Sequence, residues 1–326
     1  MAVAVVCPAC RDLRAESMQI HTLDDQGRCS HCLVQWPTVG AMPLMLADAQ
    51  AATRTAGHVE QVLSQLGALP VGGYADADEQ NILEQLVIWL PAHWGAYAEP
   101  PLPWSPPTHL RGWLDCALPP GPILVLGCAA GGEIPWLDLE DRQVVAMDAN
   151  VALVQAARKL ARGTLDRLPS HSDGLRYEVR PVELPSKQRD MLQRVQWLVG
   201  DALDPPFLAE QFAAVVALNL FDSVSEPLVL LGQCEALLQP GGVLLLSSPY
   251  HFQASVTPNA AKLLQWLPPE LPLPQAFERL FTGEAIPGFF TEFRIEKRAY
   301  NVPWRLPVHP GFIAEYRLHA LRLRKK

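Results

Sequence analysis

The sequence has no apolar run long enough to cross a membrane. Its longest runs, such as residues 241–246, fall far short of the roughly 20 residues that a membrane-spanning helix needs. Its first residues lack both the basic segment and the long apolar segment of a secretory signal peptide. We therefore expect a cytoplasmic protein that makes no membrane contact.

The sequence also lacks an excess of positive charge. Its 26 Lys and Arg residues against 34 Asp and Glu residues give a net charge of −8, which does not suit a protein that binds through a broad phosphate-neutralising surface. Basic residues are concentrated in segment 291–326. That segment predicts either a solvated basic edge with a frayed end over 321–326, or a contact with RNA or an acidic substrate. Nucleic acid is therefore a less favoured partner than a small molecule or peptide.

The composition is that of a globular protein. With 326 residues, 49% of them hydrophobic, the chain can bury a large core, and we expect one large domain with a smaller appendage. No internal repeat is evident. The prolines are dispersed except for a cluster over residues 99–107, which predicts a stiff, extended connector.

Four of the seven cysteines form two C-x2-C pairs separated by 18 residues, namely Cys7, Cys10, Cys29 and Cys32. Each pair places two thiolates on one tight turn, and the doubled motif predicts a closed, structural zinc site in a segment too small to fold alone. A disulfide pair or a redox C-x-x-C is the weaker alternative in a chain without a signal peptide. Because four thiolates fill the metal's shell, we expect His21 and His31 to be surface residues.

An aromatic-Pro pair, a glycine and a Pro-hydrophobic tail follow the second cysteine pair over residues 36–46. Together with the cysteines, this segment resembles the small zinc-ribbon activator subunits that partner tRNA, rRNA and release-factor methyltransferases. The resemblance implies a zinc ribbon over residues 1–46, fused to what would be its partner and able to contact another protein. Acidic residues outnumber arginines around the two cysteine pairs, which argues against nucleic-acid binding by this segment.

Residues 47–115 form a predicted helical bridge. Apolar spacing predicts one helix over 47–67 and a second that begins near Asp76 and ends at Pro91. The second helix is followed by an aromatic segment that contains His93, Trp94 and Tyr97. That segment is either a helix-ending turn with aromatic packing or a lid over a bound ligand.

The strongest pattern is a buried strand over 121–126 that feeds a glycine-rich loop with Gly127, Cys128, Ala129 and Gly131. Polar or small residues then follow each later predicted strand. Strand 143–147 ends at Asp148 and Ala149, strand 195–199 leads to Asp201 and Ala202, strand 212–218 ends at Asn219, and a fifth strand covers 243–246. An acid at Asp148 would accept hydrogen bonds from ribose hydroxyls, and Asp201 would meet an adenine amino group.

This order of strands and polar ends resembles the class I S-adenosylmethionine-dependent methyltransferases over residues 116–250. The resemblance implies an enzyme with S-adenosylmethionine as cofactor and an α/β, Rossmann-like domain over 116–326 with a mostly parallel seven-stranded sheet. A nicotinamide dehydrogenase would more commonly show three glycines in its first turn. Family members usually carry an acid where this chain has Val125, so either Glu133 compensates or cofactor affinity is reduced.

Four short motifs resemble a narrower group, the methyltransferase domain of ovothiol synthases and the carnosine and protein-histidine N-methyltransferases. They cover residues 93–95, 175–179, 219–222 and 248–250. The resemblance implies methylation of an imidazole nitrogen, without a catalytic metal.

A carboxylate that accepts the N–H of the second imidazole nitrogen would fix the tautomer and stabilise the imidazolium that develops. Asp222 is the candidate for this role, Asn219 could contact either ligand, and Tyr250 could line the acceptor pocket. Alternatively, Asn219 and Asp222 cap turns, and Ser225 caps a helix that begins at residues 226–227.

Three hypotheses remain, in decreasing order of support. The first is an N-methyltransferase that acts on an imidazole of a small molecule or peptide. The second is an RNA methyltransferase with a fused zinc-ribbon activator. The third is a non-catalytic interaction protein that keeps the methyltransferase fold.

Overall fold

A computed structural model describes residues 3–10, 21–24, 26–70, 72–102, 118–137, 142–262, 267–282, 290 and 292–326. The predicted boundary at residues 115–116 lies outside these residues, and so does part of the predicted connector. No helix within the described ranges is both long and apolar enough to span a bilayer.

Eleven strands are found in the described residues: β1 Thr38–Val39, β2 Met42–Met45, β3 Ile123–Leu126, β4 Val144–Asp148, β5 Arg167–His171, β6 Tyr177–Pro181, β7 Gln196–Gly200, β8 Phe212–Leu218, β9 Leu238–Ser248, β10 Phe293–His309 and β11 Phe312–Lys325. Six α-helices accompany them: α1 Ala49–Ser64, α2 Ala77–Trp94, α3 Val151–Ala161, α4 Ser186–Gln193, α5 Pro227–Leu237 and α6 Leu273–Glu278.

Nine of these strands form one mixed sheet in the order β1-β2-β7-β4-β3-β8-β9-β11-β10. The six central strands, in the order β2-β7-β4-β3-β8-β9, are parallel to one another. Strands β1, β10 and β11 are antiparallel to the strands with which they pair. The predicted count of seven strands is therefore wrong. The two extra strands come from the segment after the cysteine pairs, where Leu44 of β2 pairs with Val199 of β7 at the sheet edge.

Consecutive residues of the central strands alternate between two apolar cores. On one face, Val125 of β3 packs with residues of α1, α2 and α3. On the other face, Leu124 of β3 packs with residues of α5 and α6. Both faces of the parallel strands are thus covered, as expected for near-continuous apolar strand sequences. This doubly covered sheet fixes where the carboxyl ends of its strands lie.

Helix α2 begins where the sequence predicts but continues past its predicted end. Asp76 caps it by accepting hydrogen bonds from the backbone N–H groups of Asp78 and Glu79, both at 3.0 Å. The helix runs through Pro91 to Trp94. Proline removes one helical hydrogen bond, and here burial of the helix face that ends in Trp94 outweighs that loss.

The C-terminal segment is a strand inside the sheet, and the predicted frayed end over 321–326 is wrong. Strand β11 lies between β9 and β10, with Leu321 paired to Leu246. Its basic side chains are bound within the protein: Arg324 Nη1 donates to the carbonyl oxygen of Gly241 at 2.7 Å, and Lys325 Nζ donates to that of Leu238 at 2.8 Å. Their charge is therefore not free for a ligand.

Strands β10 and β11 extend beyond the rest of the sheet as a two-stranded arm. Strand β9 pairs with β11 only over residues 319–324, whereas β10 pairs with β11 along nearly its whole length. The arm packs on α2 through a small apolar cluster that includes Ala92, Trp304 and Leu318. This packing brings a residue of the arm to the candidate site.

Candidate functional site

A cavity of about 470 Å³ lies at the carboxyl ends of β3, β4, β7 and β8. In doubly wound folds, ligands bind at this edge of the sheet. The cavity brings together eight of the residues that the sequence predicts for a site. They are His93, Gly127, Ala129, Asp148, Ala149, Asp201, Ala202 and Asn219.

The glycine-rich loop after β3 forms the floor of the cavity. Gly127 has a φ of +67° and donates its N–H to the carbonyl oxygen of Met147 at 2.9 Å. Gly131 has a φ of +76°, and a Cβ at this position would lie 2.6 Å from the ring of Trp197. Both positions therefore require glycine. Neither Cys128, which is buried in the core, nor Gly131 lines the cavity.

Asp148 links the loop to the end of β4. Its Oδ2 accepts a hydrogen bond from the N–H of Ala129, and its Oδ1 accepts one from the N–H of Asn150, both at 2.8 Å. Burial raises the pKa of this carboxyl, whereas the backbone hydrogen bonds act in the opposite direction. Each carboxylate oxygen keeps acceptor capacity, so Asp148 can still accept hydrogen bonds from two hydroxyl groups.

Asp201 occupies the corresponding position after β7. Its Oδ1 accepts a hydrogen bond from the N–H of Leu203 at 2.8 Å, which orients the carboxylate at the cavity wall. Ala202 follows it and also lines the cavity. This end of the cavity therefore offers an acceptor beside small and apolar side chains, which suits a planar base with an amino group.

A third acid, Glu133, faces the cavity from the end of the glycine-rich loop. Its pKa is raised to about 8 by burial, with a further contribution from the charge of Asp148. His93 Nδ1 lies 3.5 Å from Glu133 Oε2 and accepts a hydrogen bond from the N–H of Gly132 at 2.8 Å. Burial lowers the pKa of His93 to about 4, so its imidazole is neutral at pH 7 and carries its proton on Nε2.

The end of α2 holds the glycine-rich loop in place. Trp94 is buried, and its Nε1–H donates to the carbonyl oxygen of Ala130 at 2.8 Å. Tyr97 packs on Trp94 with ring centroids 6.2 Å apart. Only His93 of the predicted lid residues lines the cavity. Trp94 and Tyr97 therefore support the loop from behind.

Asn219 stands at the end of β8 with a left-handed φ of +54°. Its Oδ1 accepts a hydrogen bond from Ser247 Oγ at 2.9 Å, which orients its amide at the cavity. A non-glycine residue in this conformation costs free energy and is found disproportionately at functional sites.

Asp222 is buried behind the cavity wall and does not line it. Its Oδ2 accepts a hydrogen bond from the N–H of His251 at 2.5 Å, while its Oδ1 has no hydrogen-bond partner in the described part of the chain. Burial raises the pKa of this carboxyl. Helix α5 has Glu226 at its N-cap position without a side-chain cap, so the alternative in which Ser225 caps that helix is wrong.

Tyr250 points into a buried polar network instead of the cavity. Its hydroxyl lies 2.7 Å from His319 Nδ1, and His319 Nε2 lies 3.2 Å from Glu278 Oε1. Glu278 also accepts a hydrogen bond from Arg298 Nη1 at 2.6 Å. Tyr250 is therefore held by its own partners at the end of β9 and is not part of the cavity wall.

Two tryptophans also line the cavity, and neither was predicted from the sequence as a site residue. Trp89 of α2 and Trp304 of β10 stack with ring centroids 6.4 Å apart and an interplanar angle of 25°. Trp89 could have been found from its position one helical turn before His93. Trp304 lies in the segment interpreted as a basic edge, and no local pattern connects it to the site.

The four cysteines of the two pairs form a compact cluster, with all four Sγ atoms within 4.8 Å of one another. Cys7 and Cys32 Sγ are 3.7 Å apart, and Cys10 and Cys29 Sγ are 3.6 Å apart. Tetrahedral zinc with bonds of about 2.3 Å would separate its sulfurs by about 3.8 Å. The donor set therefore fits a zinc ion closely.

Two N–H groups point at sulfurs of this cluster. Trp36 Nε1–H donates to Cys7 Sγ, and the backbone N–H of His31 donates to Cys29 Sγ, both at 3.4 Å. Such donors stabilise thiolates, the form that binds metal. The imidazole of His31 is exposed and stacks on His21 with ring centroids 4.0 Å apart.

Residues 124–246 match the family model of a methyltransferase domain. No curated protein matches the chain. The family-model match covers strands β3 to most of β9 and therefore all the strand ends that form the cavity.

Several solved structures are similar to this chain. A putative methyltransferase from Bacillus halodurans is 14% identical over 67% of this chain and 98% of its own, with a TM-score of 0.39. A SAM-dependent methyltransferase from Aquifex aeolicus is 13% identical over 68% and 89%, with a TM-score of 0.37. Phosphoethanolamine N-methyltransferase 2 from Haemonchus contortus, in complex with S-adenosyl-L-methionine, is 18% identical over 44% and 27%, with a TM-score of 0.31. At these TM-scores the similarities add nothing to the description of the site. The family-model match supports a class I methyltransferase, an enzyme class that usually depends on S-adenosylmethionine.

Proposed function

We propose that this protein transfers a methyl group from S-adenosylmethionine to an imidazole nitrogen of a small molecule or peptide. The observation that carries the proposal is the cavity itself. One half offers three carboxylates at separate strand ends and loops, and the other half is apolar and aromatic. Bound S-adenosylmethionine would supply an activated methyl group on its sulfonium.

The three acids match the polar groups of this cofactor. Asp148 would accept hydrogen bonds from the ribose hydroxyls, and Asp201 would accept one from the adenine amino group. Glu133 would bind the ammonium of the methionine part. In this way Glu133 replaces the acid usually found at the position of Val125, which is buried in the sheet and faces the core.

The acceptor would lie beside Asn219, at the end of β8. Neutral imidazole already has a lone pair on one nitrogen, so the protein has to position it in line with the methyl group and fix its tautomer. We assign a supporting role to Asp222, which lies buried behind the cavity wall next to Ser223 and does not itself line the cavity. From there its carboxylate would stabilise the positive charge that the ring acquires without contacting the ring.

A labelled-methyl assay tests this proposal. Purified protein is incubated with radiolabelled S-adenosylmethionine and with imidazole-containing compounds, primary amines, thiols and RNA in parallel. We expect label on an imidazole nitrogen, located by mass spectrometry of the product. Label only on another acceptor would contradict the imidazole assignment and leave the methyltransferase assignment intact.

We also propose that Cys7, Cys10, Cys29 and Cys32 hold a structural zinc ion. The cluster is closed by four thiolates, so it leaves no position for a substrate. Beyond the cluster, β1 and β2 join the main sheet, and Leu46 reaches the cavity wall. Zinc would therefore stabilise the segment that completes one edge of the cofactor site.

Elemental analysis tests the zinc proposal. We expect about one zinc per chain. Cys29→Ser should lose the metal and lower the melting temperature, whereas Cys234→Ala, which removes a buried thiol of α5 outside the cluster, should keep it. A folded protein without bound metal, or a Cys29→Ser variant that retains zinc, would refute the proposal.

A further inference from the structure

We infer that Trp89 and Trp304 form an aromatic wall that selects a small, flat acceptor that is neutral or positively charged. This inference rests on the proposed function, because it concerns the acceptor half of the same cavity. It adds the chemical class that this half accepts and the two side chains that set it.

The two rings are held in place from both sides. They stack on each other 6.4 Å apart, Trp89 also contacts His93 with centroids 6.1 Å apart, and Trp304 packs on Tyr316 at 5.1 Å. Only 9% of Trp304 is exposed. A wall that is fixed before the ligand arrives needs no ordering on binding, so its contacts contribute fully to affinity.

The charge of the cavity disfavours an anionic acceptor. Glu133, Asp148 and Asp201 line it, and none of its described lining residues is Lys or Arg. A phosphate or carboxylate on the acceptor would therefore find no cationic side chain in the described wall, which is unfavourable in a partly desolvated site. A nucleotide acceptor therefore does not suit the cavity.

The size and the remaining wall limit the acceptor to a single small group. The cavity of about 470 Å³ must hold the cofactor as well. Besides the tryptophans, its acceptor half is lined by Val224 and Val256, with the hydroxyl-bearing residues Ser223 and Ser225. One aromatic ring fits this description better than a long or branched chain.

The tryptophans also suit the reaction. When the nitrogen lone pair forms the N–CH₃ bond, the S–CH₃ bonding pair returns to sulfur, and the positive charge moves from sulfur to the ring. An N–H proton then leaves the ring to water. The face of an indole attracts a cation by about 0.5–2 kcal/mol. Trp89, the more exposed ring of the wall, would therefore bind the charged ring more tightly than the neutral one and so favour methyl transfer, with Trp304 stacked behind it.

Binding to protein saturated with S-adenosylhomocysteine tests the inference without requiring turnover. The probes are 1,3-dimethylimidazolium as a flat cation, imidazole-4-carboxylate as a flat anion and cyclopentylammonium as a cation without an aromatic ring. By calorimetry, we expect the flat cation to bind at least tenfold more tightly than either of the other probes.

Matched variants identify the wall. Trp304→Leu should weaken binding of the flat cation about tenfold, which corresponds to about 1.4 kcal/mol, whereas Trp304→Phe should weaken it less than threefold. The melting temperature of each variant monitors folding. Equal binding of the anion, or an unchanged affinity in Trp304→Leu, would overturn the inference alone. Failure of S-adenosylhomocysteine to bind wild-type protein would overturn the proposed function and this inference together.

Discussion

The two halves of the cavity are built in different ways. The half that we propose for the cofactor, the cofactor half, consists of the loop after β3 and the residues that follow β4 and β7, so neighbouring parallel strands place it. The acceptor half combines Trp89 of α2, Trp304 of the β10–β11 arm and residues 218–220, 223–225 and 256. The first half depends mainly on the order of the strands, with the end of α2 supporting the loop after β3. The second depends on how elements more than 200 residues apart pack against one another.

This difference separates two tasks. A site at the ends of sheet strands is rigid and presents polar groups at fixed spacing, which suits a ligand that is always the same. A site built from a helix and an arm can change its shape without disturbing the sheet. We therefore expect substitutions in the first half to affect cofactor binding, and substitutions in the second half to affect acceptor use.

The largest expected effect is in the cofactor half. Asp148→Ala removes the acceptor for both ribose hydroxyls, and hydrogen bonds to charged groups contribute about 1.5–3 kcal/mol each. S-adenosylhomocysteine should therefore bind about 100-fold more weakly, as measured by calorimetry. Asp166→Ala is the control, because its side chain is exposed on the surface away from the cavity. If both variants bind like wild type, the cavity is not the cofactor site.

Asp222→Asn should affect the acceptor half by a similar or somewhat smaller amount. The substitution keeps the shape of the side chain but removes the charge that would stabilise an imidazolium, so turnover should fall by about 100-fold. Affinity for S-adenosylhomocysteine should change less than threefold, because Asp222 lies outside the cavity wall. Since Asp222 is buried, the melting temperature of the variant protein must be compared with that of wild type.

A fall in stability that accounts for the lost turnover, or near-normal turnover, would remove Asp222 from the mechanism. Either result would leave the division between the two halves intact, because Asn219, and not Asp222, lines the cavity at the end of β8.

Glu133→Gln should weaken S-adenosylmethionine binding about tenfold at pH 8.5 and less at pH 6.5. The raised pKa of about 8 means that Glu133 is largely protonated at pH 6.5 in the cofactor-free protein. Wild-type affinity should therefore rise by about tenfold between these pH values as the carboxylate forms, and the variant should show no such rise. Calorimetry at both pH values measures this difference.

The raised pKa of Glu133 also predicts how the stability of the cofactor-free protein changes with pH. Its pKa is higher in the folded than in the unfolded chain, so its contribution is present at low pH and is lost as the pH rises through about 8. Between pH 6.5 and 8.5, wild type should lose more stability than Glu133→Gln. Titration of His93 does not complicate the comparison over this pH range, because its pKa is lowered to about 4 and its effect on stability falls mainly below pH 6.5. A parallel pH dependence of the two proteins would contradict the buried carboxyl.

The smallest effect is expected outside both halves. Arg305 and Arg317 on the arm are exposed and pair with Glu315. Replacing both arginines with Gln should change methyl transfer less than twofold, and RNA should bind weakly with little dependence on salt. Tight, salt-sensitive RNA binding that the double variant loses would favour the RNA methyltransferase alternative. Deletion of residues 322–326 is not a suitable test of RNA binding, because it would remove part of an internal strand.

The cofactor half could be predicted from the sequence because its residues follow short apolar strands directly. Gly127, Asp148 and Asp201 each lie at or just beyond a strand end, so the strand pattern and the spacing locate them together. The acceptor half could not be predicted in the same way. Trp304 reaches the cavity only because the arm leaves the sheet and packs on α2.

The sheet edges were also missed, for two physical reasons. Strand β2 has only four residues and contains Pro43, which lacks the N–H of a ladder hydrogen bond and therefore argues against a strand in the sequence. In β11, the basic residues resemble a solvated end. Their charges are bound by Glu296, 26 and 28 residues away, and by backbone carbonyls. Neither partner can be identified from local sequence.

The most direct test of the account is the position of the transferred methyl group. Wild-type protein, its Asp148→Ala variant and its Trp304→Leu variant are incubated with labelled S-adenosylmethionine and an imidazole-containing acceptor, and the product is analysed by mass spectrometry and NMR. We expect label on a ring nitrogen with wild type, almost none with Asp148→Ala, and a raised KM for the acceptor with Trp304→Leu. Label on RNA alone, or no transfer to any acceptor despite tight cofactor binding, would contradict it.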